Sequence, residues 1–553
     1  MSHLSRRQLV TAAGAGLLAS GRGSAEDRAF STRWRPGLVA HIIPTASATE
    51  IRLKVSLVSA APGRLDLYVN GALARGARSD TDGRFWRFQA SRLDPARNHL
   101  LELKIGAREV CDSWTLRTLP APDDTVSSFR VLTFTCAGGL EGSKSIGGVE
   151  AFRPLATRQR LLDRGLSFKP DAVIANGDHI YWDQRAWLEH PVKEIRVLTK
   201  AAYDEYGYFD RDALMLGGAN EDLIKRLADP QIAQLYGCRL RSTPSFFIND
   251  DHDYFENDDA FEHYVAFPPD EFQVRAARAV QRLYYPEFLP DPTRPAGLPG
   301  ASAPEYERGI SECFGTIRAG QLFEAALYDC GRFLTLKGAA AGLVPPAVEA
   351  WLLARTASQD TAHFVHVPSH PFGWTAGKWR EWYPDVAAPL ENGSNVVVST
   401  HGTGSGVLTT ERDKFMWQAG WKSQHQRLLK ALSEQANRAA VSVSGDLHAV
   451  GHGAITSYDD VDASRNPVHS ILAGPLGSST AGWPTFARGV APTPPNGLAL
   501  EGDQAPLEKN GFTLIDFEPE RMIVHQFAWR EPDPVEAIDD LAPFASFEIA
   551  RPA

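Results

Sequence analysis

The sequence predicts an α/β protein in two parts: an N-terminal β-sandwich of immunoglobulin or fibronectin type, then a larger α/β domain. Three observations support this. Between Arg35 and about Leu119, apolar residues alternate with polar ones. After a proline-rich break, the alternation gives way to short continuous apolar runs. Several of those runs end in clusters of Asp, His, Cys or Asn. Period-two alternation marks half-buried antiparallel strands, whereas continuous apolar runs mark buried ones.

The first 30 residues stand apart from both. Arg6-Arg7 precede a weakly apolar stretch from Leu9 to Ser20, and small residues Gly23-Ser24-Ala25 follow. A charged start, an apolar middle and a small-residue cleavage site are the regions of an export signal, and the paired arginines resemble a twin-arginine one. Residues 1–30 are therefore expected to engage the twin-arginine export machinery. The protein is expected to be periplasmic or secreted from a bacterium. The apolar stretch falls short of the roughly 20 apolar residues that span a bilayer, so no transmembrane segment is expected in the mature form.

In the sandwich, residues 35–119, Ile51, Leu53, Val55 and Leu57 alternate, as do Leu65, Leu67 and Val69, and Leu101, Leu103 and Ile105. Asn70-Gly71 is a hairpin turn signal. Residues 120–126, opening Pro120-Ala121-Pro122, read as a linker, since proline removes a backbone donor. Residues 127–553 form the second domain. Its buried strands are Phe129–Phe134, Ala172–Ala175, Phe246–Ile248, Val396–Val398 and Ala440–Ser444. Ala151–Leu166 and Gln424–Ala436 have helical character, and residues 185–245 and 255–345 read as insertions.

Composition narrows the function. Lys and Arg number 57 against 67 Asp and Glu in 553 residues, a net charge of −10. That excess argues against a nucleic-acid-binding module, which rests on a basic surface. A local anion site is still compatible with it, because bound metals invert local electrostatics. The five cysteines, Cys111, Cys136, Cys238, Cys313 and Cys330, are too few for a disulfide scaffold and contain no CxxC pair. At least one thiol stays outside any intramolecular disulfide.

The clusters after the strands carry the chemistry. Cys136 offers a thiol, and Gly177-Asp178-His179-Ile180-Tyr181 a carboxylate and a phenol. Asp250-Asp251-His252-Asp253 offers carboxylates and an imidazole. Gly445-Asp446-Leu447-His448 offers a carboxylate and an imidazole two apart, able to face one side of an extended segment. Gly404-Ser405-Gly406 lacks the spacing of a serine nucleophile elbow.

This set, with GDHIY and DDHDYFEND as its most specific pair, resembles the PhoD-type metallophosphatases, which are alkaline phosphatases and phosphodiesterases. The Trp417–Trp421 segment fits as well. The resemblance implies a calcineurin-like or purple-acid-phosphatase-like αββα core. It also implies ferric iron held by Cys136, Asp178, Tyr181 and His448, and calcium held by Asp178, Asp251 and Asp446. Asp250 and Asn257 would add oxygens there or support its ligands from just outside. His252 would face the substrate and serve the leaving group, so His252 and Asp251 are the implied catalytic residues. Either His370 or His401 would supply a further histidine, both having the V-x-x-H spacing. Arg185 is a candidate phosphate clamp. Phe255 stands where the family pattern has glycine, and Asn249 where it has tryptophan, so the loop after His252 is expected to bend differently. The implied function is hydrolysis of a phosphoester by metal-activated hydroxide. The alternatives are a phospholipase D-like diesterase acting on phospholipids, or a binding protein with a relic metal site. The complete ligand set argues against the relic.

Overall fold

The computed structural model describes residues 34–141, 145–146, 149–183, 188, 193–255, 260–261, 264–265, 268–300, 309–335, 341–375, 419–479, 481–482, 484–485, 491–495, 497–502 and 505–552. The export signal, Arg185, Asn257, His401, the strand predicted at Val396–Val398, Gly404–Gly406 and Trp417 lie outside them.

Two antiparallel sheets open the chain. One has the order Val39–Ala46, Glu50–Leu57, Phe85–Ser91, Ala77–Arg78. The other runs Ala72–Arg75, Leu65–Val69, Asn98–Ile105, Arg108–Glu109, with Trp114–Arg117 also on Asn98–Ile105. Leu53, Val55, Leu67, Leu103 and Trp114 are buried in one cluster drawn from both sheets. Asn70 and Gly71 both have positive φ and close the hairpin between Leu65–Val69 and Ala72–Arg75.

One expectation fails here. The strand Glu50–Leu57 is not half-buried, because nearly all of it is buried on both faces. Its polar face packs on the rest of the chain: Lys54 Nζ donates to Glu287 Oε1 at 2.9 Å and Arg52 Nη1 to Glu287 Oε2 at 3.0 Å. Paired ions fill a buried face that alternation alone reads as solvated.

Two further sheets face each other. The first, six-stranded, has the order Ser245–Ile248, Ala172–Asn176, Phe129–Phe134, Asn510–Glu518, Arg521–Trp529, Ala545–Ala550, its first three strands parallel. The second contains Phe314–Ala319, Phe323–Tyr328, His363–Pro368, Val441–Ser444, Val468–Ala473 and Val450–Tyr458 in that order. Val131, Ile174, Phe246 and Ile515 meet Leu327, Val367, Val443 and Ile471 between them. On the outer face of the first sheet, Leu132, Phe134 and Val173 pack with Leu161, Leu227 and Val280 from helices. On the outer face of the second, Phe314, Ala326 and Tyr328 pack with Leu352, Leu428 and Leu432. Burial on both faces explains the continuous apolar runs.

Several boundaries move. The helix predicted from Ala151 spans Leu155–Leu166, because Pro154 precedes its first turn and Phe152 bridges to Ser478 instead. The helix predicted over Gln424–Ala436 spans Ala419–Ser433. Residues 255–345 are not wholly an insertion: Phe314–Ala319 and Phe323–Tyr328 are strands of the second sheet. Among the described residues, no helix is long and apolar enough to cross a membrane.

Candidate metal centre

The parallel strands of both sheets end at one edge, and their following loops interlock there. Thr135, just past Phe129–Phe134, bridges to Pro475, and its Oγ1 donates to Asn176 O at 2.6 Å. Gly138 N and Ala137 N both donate to Asp178 O, at 3.0 and 3.1 Å. Gly445 N donates to Ser369 O, tying in the loops of the second sheet. At Gly445 a Cβ would lie 2.4 Å from Asn176 O and 2.5 Å from Thr135 Oγ1, so only glycine fits.

The loops also bend sharply. Cys136, Asp178, Asp446 and His448 all have positive φ, which non-glycine residues rarely adopt. Such conformations cost on the order of 1–3 kcal/mol each and cluster at functional sites. They correct the expectation for Gly445–His448, which is a bent segment rather than an extended one. Asp446 and His448 consequently serve different groups of donors. Phe255 holds φ 61°, so a phenylalanine keeps the left-handed bend that glycine favours. Its ring is buried against Phe209, which stabilises an otherwise unfavourable conformation.

Three groups of donors converge, each with its ligand atoms within 4.8 Å of one another. They are Cys136, Asp178 and His448; Asp178, Asp251 and His252; and Asp250, Asp251 and Asp446. Asp178 and Asp251 are shared, which links the three into one centre. Cys136 Sγ is 3.2 Å from Asp178 Oδ2. Tyr181 Oη donates to the same oxygen at 2.9 Å and lies 3.3 Å from His448 Nε2. His370 Nδ1 is 2.8 Å from Asp250 Oδ1, at the far end of the centre.

The electrostatics ask for a cation. Burial, then the neighbouring Asp251, raises the Asp178 carboxyl well above the usual range. Burial and Asp178 raise the Cys136 thiol and the Tyr181 phenol in the same way. Burial pulls His252 down, but Asp183, Asp251 and Asp178 outweigh it and hold the imidazole at about 10. Asp178 Oδ1 is buried with no hydrogen-bond partner among the described residues. A buried carboxylate oxygen without a donor is costly, and a bound metal would satisfy it. The donors fit two kinds of ion: thiol, phenol and imidazole suit a transition metal, and the aspartates suit a hard cation.

A fourth group, Asp80, Asp82 and Glu221, is of another kind. The Lys225 ammonium already lies 2.9, 2.8 and 2.6 Å from those three carboxylates. It is a salt-bridge cluster between the N-terminal sheets and the helix Ala219–Ala228.

Two residues were given no role by the sequence. Asp183 is buried, with Oδ1 2.6 Å from His252 Nδ1. Asp253 accepts from the backbone N–H groups of Asp178, His179 and Asp250 at 2.9, 2.8 and 2.9 Å, fixing two ligand loops to each other. Both lie within the motifs, as the last aspartates of GDHIYWD and DDHD. An acid two residues from a ligand was the available signal, but only the fold shows its partner.

No family model matches the chain, and no curated protein matches it. Among solved structures, the "Structure of PhoD" matches with a TM-score of 0.54 at 13% identity, covering 93% of this chain and 90% of that one. The chain thus has a PhoD-like fold. A Ruminococcus gnavus beta-glucuronidase structure aligns over 73% of this chain and 61% of its own at 10% identity, but its TM-score of 0.20 is too low to bear on the fold.

Proposed function

We propose that the chain is a metal-dependent phosphoesterase of the PhoD type that works after export. On this reading residues 1–30 are its signal, residues 35–119 a fibronectin- or immunoglobulin-like domain, and residues 127–553 a calcineurin-like catalytic domain. The observation that carries the reading is the position of Asp178 between two donor sets of different chemistry, at the strand-end edge of a PhoD-like fold.

Cys136, Asp178, Tyr181 and His448 would hold ferric iron. Asp178, Asp251 and Asp446, with Asp250, would hold calcium. When bound, such ions acidify a water and neutralise phosphoryl oxygens. The chain's own residues then position the ester. His252 donates Nδ1–H to Asp183, which leaves Nε2 to protonate the leaving-group oxygen. His370, with Nδ1 2.8 Å from Asp250 Oδ1, offers that carboxylate a counter-charge when protonated. Asp253 keeps the Asp178 and Asp250 loops in register through three backbone N–H groups.

The test is metal analysis of protein exported in its native host, combined with a panel of phosphomonoesters, diesters including a phospholipid, and triesters. Iron and calcium with turnover on a phosphoester are expected. Metal-loaded protein without turnover on any of them would overturn the reading.

A further inference from the structure

A small cavity adjoins the donor cluster beside His252. Its volume is about 10 Å³, the room that one water needs. Tyr181, Trp182 and Asp183 line it from the loop after Ala172–Asn176, and Thr199 and Tyr203 line it from the helix Lys193–Tyr206. Two of these residues also touch His252. The Tyr181 ring lies 4.2 Å from the imidazole, centroid to centroid, and Asp183 Oδ1 lies 2.6 Å from its Nδ1.

Two polar groups among the lining side chains are unmatched. Trp182 Nε1 is buried without a hydrogen-bond partner among the described residues, and so is Thr199 Oγ1. A threonine inside a helix can return its hydroxyl to the carbonyl four residues back. Thr199 does not. The Trp182 ring is held by stacking on Tyr203, with centroids 4.5 Å apart, and the Tyr203 hydroxyl donates to Asp183 O. An indole N–H and a hydroxyl kept from water without a partner are each costly. An apolar cavity stays dry, whereas one with polar partners and room for a water holds it.

We propose that this cavity binds one structural water, and that the water braces the leaving-group acid. The water accepts the Trp182 N–H, shares a hydrogen bond with the Thr199 hydroxyl and donates to the Asp183 carboxylate at Oδ2. Oδ1 is already committed to His252. Held at both oxygens, Asp183 fixes the imidazole in turn. Trp182 and Thr199 are then positioning residues that act through Asp183. The water site stands on the cavity alone, while its effect on turnover rests on the phosphoesterase reading.

A crystal structure of the full chain should show a water peak within hydrogen-bond distance of both Trp182 Nε1 and Thr199 Oγ1. In Thr199→Val, which keeps the shape and loses the hydroxyl, that peak should vanish. Turnover should report on His252, because an alkyl phosphoester needs its leaving oxygen protonated and a nitrophenyl ester does not. The ratio of alkyl to nitrophenyl kcat should fall about threefold to tenfold in Thr199→Val, the range expected for one hydrogen bond. Thr199→Ser, which retains the hydroxyl, should keep the wild-type ratio; a role in packing alone would make serine the worse substitute. If Thr199→Val does not fold, Trp182→Phe should lower the ratio in the same way. An absence of turnover on every ester would sink the phosphoesterase reading and leave the water peaks to decide. A dry cavity in the wild type, or an unchanged ratio in the folded variant, would overturn the proposal.

Discussion

Asp183 Oδ1 lies 2.6 Å from His252 Nδ1, with both side chains buried at the rim of the donor cluster. A carboxylate on Nδ1 fixes the ring orientation and commits Nε2 to the open side. Asp183→Asn should therefore lower turnover by roughly 10- to 100-fold, the usual cost of losing such an orienting partner. The loss should fall on kcat more than KM. If Asp183 acts through the imidazole, the double variant with His252→Ala should lose no more than His252→Ala alone. Additive losses would show that Asp183 acts elsewhere.

Tyr181 predicts a colour. Its phenol is within 2.9 Å of Asp178 and 3.3 Å of His448, so an ion on those two residues would meet the phenol oxygen. Iron-loaded protein should absorb visible light through a tyrosinate band. Tyr181→Phe should bleach or shift that band in a visible spectrum. An active enzyme that is colourless and iron-free would reject the iron assignment.

Cys136 and Asp178 should be indispensable. Cys136→Ala removes the sulfur donor of the cluster formed by the described residues, and Asp178→Asn alters the carboxylate common to two groups of donors. Each should reduce phosphoesterase turnover by orders of magnitude. Chelation should act the same way and also lower the melting temperature, since buried carboxylates lose their counter-charge. Wild-type-like activity in either variant would refute the site.

The contact between the N-terminal sheets and the rest of the chain predicts a stability effect that leaves the donor cluster untouched. Glu287 receives Lys54 and Arg52 inside the protein. Glu287→Ala would strand two buried cations, at a cost of about 3–5 kcal/mol. Urea unfolding should register that loss, while metal content per folded molecule should stay unchanged.

How much of this was legible beforehand depended on the range of the interaction. Phe129–Phe134 was readable to the residue, because burial on both faces leaves a continuous apolar run. Cys136, Asp178, Tyr181, Asp251, Asp446 and His448 were readable as motifs following such runs, and the fold brings them together. The left-handed conformations at Cys136, Asp446 and His448 were not, because loop interlocking across two sheets imposes them against local preference. Nor was Glu287, whose partners lie more than 200 residues away in sequence. Strand Glu50–Leu57 was misread for the same reason, its Lys54 looking solvent-facing until that partner is known. His370 and His401 were indistinguishable by spacing; the structure puts His370 against Asp250.

Three buried histidines, His41, His366 and His425, predict one way in which acid destabilises the fold. His41 is fully buried, with Nε2 3.0 Å from Tyr284 O and Nδ1 against the Ser56 hydroxyl. Burial, only partly opposed by that carbonyl, pushes it down to about 4. Burial likewise holds His366 at about 3 and His425 at about 4. The sign follows from proton uptake. Between about pH 4 and 6.5 the unfolded chain binds protons that the folded chain refuses, so stability is full above that window and falls as pH drops through it. For His41 the difference is on the order of 3 kcal/mol when the window is fully crossed. Denaturant unfolding at several values between pH 7.5 and 5 should therefore contain a declining contribution from His41 in the wild type. In His41→Gln stability should fall less, or rise more, as pH drops across the same range. Release of acid-labile metals is common to both proteins, so the difference between their slopes isolates the histidine. Equal slopes would show that His41 is charged in the folded protein.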